Sequence, residues 1–74
     1  MDIKVNDKFT LKSSDGHMYD CKVVNINEFR PPEMMYAISI TDENGTPAPD
    51  LYFVGEDTFE RNADAITWKP REGE

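Results

Sequence analysis

The sequence predicts a small all-β domain of five strands, with one short helical turn before the last. Three observations carry this. Apolar residues recur at alternate positions over most of the chain, the period of a half-buried strand. Turn-forming clusters, SSDG (13–16) and DENG (42–45), separate the alternating stretches. Residues 56–64, EDTFERNAD, break the rhythm with the capping residues of a helix. At 74 residues the chain has room for one domain, assigned to residues 1–70, with 71–74 as a frayed tail. A domain this short buries only about 60% of its unfolded surface, so few side chains carry its core.

The first predicted strand is IKVNDKFTLK (3–12). Ile3, Val5, Phe9 and Leu11 share one parity, and Asp7 is the single exception among them. Lys4, Asn6, Lys8, Thr10 and Lys12 share the other, a lysine stripe of the kind that protects an edge. After the Asp15-Gly16 turn, HMYDCKVVNINEF (17–29) reads as a long second strand. Its apolar parity changes at Val23-Val24, which predicts a bulge or a sharp bend.

Two prolines stiffen RPPE (30–33) into a connection. MYAISIT (35–41) is the third strand. DENGTPAP (42–49) is a turn, in which Asn44-Gly45 suits a type I′ hairpin. DLYFVG (50–55) is the fourth strand. Asp57 and Glu60 have the spacing of a capping box for the helical turn. AITWK (65–69) is the last strand, ended by Pro70. The expected core is Phe9, Tyr36, Ile38, Phe53, Phe59 and Trp68.

Four strands, a helical turn and a fifth strand resemble the layout of small SH3-like barrels over residues 3–69. The expectation is therefore a five-stranded SH3-like barrel. An OB-like barrel and a small α+β open sheet are the alternatives. The likeness is one of layout, and no motif names a family.

Function classes narrow by composition. The chain is 38% hydrophobic and 31% charged, which suits a compact domain rather than a disordered one. No apolar run reaches the roughly 18 residues of a membrane span, and the N-terminus lacks the pattern of a signal peptide. A single cysteine forms no internal disulfide, and a cytoplasmic location is expected. The net charge of −7 opposes a nucleic acid or an anionic lipid as partner and favours a protein with a basic surface.

GHMYDC (16–21) holds the only histidine and the only cysteine. Along a strand His17 and Cys21 stand roughly 13 Å apart, too far for a thiolate–imidazole pair. Cys21 then reads as a small core residue and His17 as a strand-start residue beside the turn. DENG opens like a calcium loop, but Thr46 and Pro47 follow where that loop has its fifth-position ligand and its glycine, and Phe53 stands where it needs a glutamate, so a hairpin turn explains it better. No glycine-rich phosphate loop or nucleophile motif is present in the sequence. The expectation is a non-enzymatic chain without cofactor or metal.

Charge is distributed unevenly. Residues 1–40 carry six acids and five bases, whereas residues 41–64 carry seven acids and Arg61 alone. Those seven, Asp42, Glu43, Asp50, Glu56, Asp57, Glu60 and Asp64, are either a solubilising face or a docking surface for a basic partner. The docking reading makes the chain an accessory or inhibitory factor, for instance of a nucleic-acid-binding protein. The alternative function is nucleic-acid binding through the Lys4, Lys8 and Lys12 stripe.

Overall fold

The computed structural model describes residues 2–71. Their framework is one antiparallel sheet of β1 (Lys8–Lys12), β2 (Met18–Ile26), β3 (Tyr36–Thr41), β4 (Tyr52–Val54) and β5 (Ile66–Trp68). The strand order is β4-β3-β2-β1-β5. The sheet is open, with β4 at one edge and β5 at the other and no ladder between them. A six-residue helix, α1 (Glu56–Arg61), and a 3-10 turn (Ala63–Ala65) connect those edges. Among the described residues no helix is long and apolar enough to cross a membrane.

The alternation of the sequence becomes the two faces of this sheet. Register aligns Trp68, Phe9, Cys21 and Ile40 across four strands, and Ile66, Leu11 and Tyr19 beside them. Further along, Val23 pairs with Ile38, which pairs with Tyr52, and Ile26 pairs with Tyr36, which pairs with Val54. All these side chains share the inner face. The register slips between Val23 and Asn25, as the change of parity predicts. The extra residue lets Val23 and Ile26 face the same core although their separation is odd.

Phe59 of α1 closes that face. Its ring meets Tyr36 edge-on at 5.3 Å, Phe9 edge-on at 5.8 Å and Trp68 at 5.5 Å between centroids. It is 2% exposed, and burying such a ring contributes about 1.5–3 kcal/mol. Gly55 makes this docking possible. A β-carbon there would lie 2.6 Å from the Pro32 carbonyl oxygen and 2.8 Å from the Glu33 Cα. The helix entrance therefore packs backbone to backbone on the 3-10 turn Pro32–Met34.

Several local expectations are corrected. The first strand starts at Lys8, not at Ile3. Lys4–Asp7 form a turn, closed by Asp7 N–H donating to the Lys4 carbonyl at 3.0 Å, with Asn6 at φ 78°. Positive φ at the third position is the type II pattern, which asparagine tolerates. Asn6 N–H then donates to the Val23 carbonyl and Val23 N–H to the Asp7 carbonyl, so two residues oppose one in a glycine-type bulge. Asp7 broke the alternation because it belongs to this turn.

The 42–49 turn is not type I′, since Gly45 has positive φ and Asn44 does not. The Asp42 carboxylate instead accepts the N–H groups of Asn44 and Thr46, both at 2.9 Å. The helix cap is Gly55, and no side chain caps it, so the capping box of Asp57 and Glu60 does not form. The second strand ends at Ile26, where Asn27 turns the chain by accepting Phe29 N–H. β4 is only three residues long; Pro47 and Pro49 before it supply no ladder donors.

Phe53 is not in the core. It pairs with Ala37 on the outer face and is 42% exposed. Arg30 lies over its ring at 5.1 Å and donates to Asn25 Oδ1 at 2.7 Å. Asn25, Ala37 and Phe53 form one cross-strand row, and the guanidinium bridges its ends. Arg71, assigned to the frayed tail, is held: its guanidinium donates twice to the Asp7 carboxylate, at 2.8 and 2.9 Å. The rest of that tail, residues 72–74, lies outside the described residues.

Candidate functional site

The seven carboxylates of residues 42–64 fall into groups at opposite ends of the sheet. β3 starts beside the end of β4, because Tyr36 faces Val54, and finishes at Thr41. Asp42 and Glu43 follow that finish, whereas Glu56 and Asp57 follow the end of β4 at the other side. Glu60 and Asp64 then track α1 and the 3-10 turn back across the sheet. Asp50 is exposed in the segment leading into β4.

Not all seven are available in the same way. Asp42 is half-buried and builds its own turn. Glu43 Oε1 sits 2.5 Å from His17 Nδ1 and so ties the 42–46 turn to the 13–17 turn. Asp57 pairs with Arg61 at 3.5 Å, one helical turn on. Glu56 is half-buried near Tyr36, whose phenol is pushed above its ordinary pKa by burial first and by Glu56 second. Glu60 and Asp64 are exposed.

Beside this helix opens an apolar cavity of about 190 Å³. Tyr52 and Val54 of β4, Thr58 of α1, Asn62 just beyond it, and Cys21 and Ile38 of the sheet are among the residues that line it. Helical spacing puts Thr58 and Asn62 on one flank of Phe59, toward the cavity. Glu56 and Glu60 take the other flank, and Asp57 with Arg61 face outward. The acidic ridge therefore runs within about one helix diameter, roughly 10 Å, of an apolar opening. Sequence reasoning missed this cavity, because it exists only where the short β4 and α1 meet over an open sheet.

His17 and Cys21 have separate environments. His17 is exposed, and its imidazole is raised above the ordinary 6.5 by the Glu43 hydrogen bond first, then by the charges of Asp15 and Glu43. Cys21 is buried, and burial pushes its thiol up to about 11. A thiol that stays protonated is a poor nucleophile and a poor metal ligand.

The lysine stripe also changes shape. Lys4 sits in the turn rather than on the strand, and Lys12 lies at the far end of β1 from it. In their place Lys8, Lys22, Lys69 and Arg71 gather near Lys4 around a surface basin. Comparison with known proteins finds no matching protein family, no matching curated protein and no matching solved structure.

Proposed function

We propose that this chain is a non-enzymatic protein-interaction module, an SH3-like barrel that docks on a basic surface of a partner protein. The strand order β4-β3-β2-β1-β5, with the helical turn ahead of β5, supports the SH3-like reading. In this reading α1 covers the side of the sheet that no ladder closes. The observation that carries the docking reading is the apolar cavity beside the carboxylates of α1 and its continuation.

Glu56, Asp57, Glu60 and Asp64 attract a cationic surface at long range, and the cavity accepts one apolar side chain at contact. Such an anchor, fully desolvated in a pocket, is the usual source of affinity, whereas rim charges set the association rate. A nucleic-acid-binding protein carries a surface of the required sign, so an accessory or inhibitory role follows. Asp42 and Glu43 serve the turns more than the docking face.

Quantitative affinity capture from the native host tests this with three baits: wild type, a Glu56→Gln, Asp57→Asn, Glu60→Gln variant, and a Lys8→Gln, Lys22→Gln variant. A protein held by the wild type and the lysine variant, released by the acidic variant, and associating more slowly as salt rises is the expected result. Loss with the lysine variant and retention with the acidic one would refute the assignment.

A further inference from the structure

The basin at the opposite side of the fold has the contrary charge. Lys4, Lys8, Lys22, Lys69 and Arg71 line it, five of the eight cationic side chains of a chain whose net charge is −7. Its volume is about 600 Å³. The turn at 4–7, β1, β2 and the segment after β5 each contribute, so only the folded chain assembles it.

Two of the cations are matched by carboxylates. Arg71 is clamped on Asp7, which is 9% exposed, and donates to the Asp2 carbonyl at 2.7 Å. Lys69 stands 3.5 Å from Asp20. Lys4, Lys8 and Lys22 have no carboxylate within ion-pair distance among the described residues. Lys8 and Lys22 are moreover directly opposite one another across the β1–β2 ladder. Like charges in that position destabilise a sheet. Lys69 N–H donates to the Lys8 carbonyl at 2.9 Å, which sets a third cation beside the pair.

We propose that this basin binds a small polyphosphate anion, two or three linked phosphoryl groups, of inorganic or nucleoside origin. Lysine ammonium groups act on phosphate as point charges, whereas the Arg71 fork is taken by the Asp7 carboxylate and fixes the wall of the basin. The volume is that of a small-molecule site. Apart from the cations, the described residues that line it are Val5, Asn6, Asp7 and Pro70, none of them an aromatic ring on which a base could stack. The acidic remainder of the chain repels a long polyanion, whereas an anion within the basin lies inside a Debye length, about 8 Å, of the lysines.

Titration with sodium tripolyphosphate, followed by amide chemical shifts, tests the site. Shifts should concentrate at residues 4–8, 22, 69 and 71. A Lys8→Gln, Lys22→Gln variant should bind about tenfold more weakly or worse, and Lys12→Gln should bind as the wild type does. Tripolyphosphate should raise the melting temperature of the wild type but not of the double variant, which folds at least as well because its like-charge pair is gone. Shifts spread elsewhere, or equal affinity in the double variant, would overturn the site. Tighter binding of a single-stranded oligonucleotide at equal phosphate concentration would overturn the small-anion assignment. Equal affinity for a nucleoside monophosphate and for tripolyphosphate would overturn the requirement for linked phosphoryl groups.

Discussion

Truncating Phe59 to alanine should remove most of the stability of the fold. The ring is 2% exposed and touches Phe9, Tyr36 and Trp68, so it is where α1 joins the sheet. Phe→Ala in a core costs about 3–5 kcal/mol. The vacated space adjoins the existing apolar cavity, and three aromatic contacts vanish together, so the cost belongs near the upper end. A 74-residue domain at typical stability per residue has roughly 4–11 kcal/mol in total. Phe53→Ala is the control. That ring is 42% exposed and loses mainly its contact with Arg30, about 0.5–1 kcal/mol, plus partial burial. Urea titration followed by Trp68 emission measures both, since Trp68 lies 5.5 Å from Phe59 and reports its loss. The expected result is a Phe59 variant largely unfolded in buffer and a Phe53 variant displaced by about 1 M urea or less. Equal costs, or a well-folded Phe59 variant, would refute the assignment of these two rings to opposite faces.

Asp7→Asn should cost about 1.5–3 kcal/mol by weakening the Arg71 clamp, measured by thermal unfolding. The Arg71 hydrogen bonds hold the Asp7 carboxyl below its ordinary 3.8, so their contribution is complete above that pH and lost as pH falls through the folded value; Asp7→Asn should flatten this acid limb. His17 has the opposite sign. Its raised pKa means a contribution present below 6.5 and lost as pH rises through the higher folded value, so the stability difference between wild type and His17→Gln should shrink above pH 6.5. Imidazole proton shifts should titrate above 6.5 in the wild type and at a lower pH in Glu43→Gln, where only the Asp15 charge still favours the imidazolium. Gly55→Ala should cost about 1–3 kcal/mol through its collision with the Pro32–Glu33 backbone, read as a lower melting temperature.

Much of the sheet was legible in the chain because strand pairing obeys a period of two. The side chains that alternate in residues 8–12, 18–26 and 36–41 are those that share the inner face, and even the slip at Val23-Val24 leaves its mark as a change of parity. Such patterns are local, and local sequence determines them. What the chain alone did not disclose depends on partners distant in sequence. Asp7 looked like a flaw in a strand until Arg71, 64 residues away, took its carboxylate. Phe53 looked like core because an apolar run does not say which of its residues faces inward; pairing with Ala37 turned it outward under Arg30. The acidic run of 42–64 is contiguous in sequence, yet β4 carries the chain from one end of the sheet to the other and divides it. The cations, scattered over Lys4 to Arg71, converge because β1, β2 and β5 are neighbours. Sequence determined which residues alternate and where the chain turns. Only tertiary structure decided which charges meet, because Coulomb energy depends on distance through space and not along the backbone.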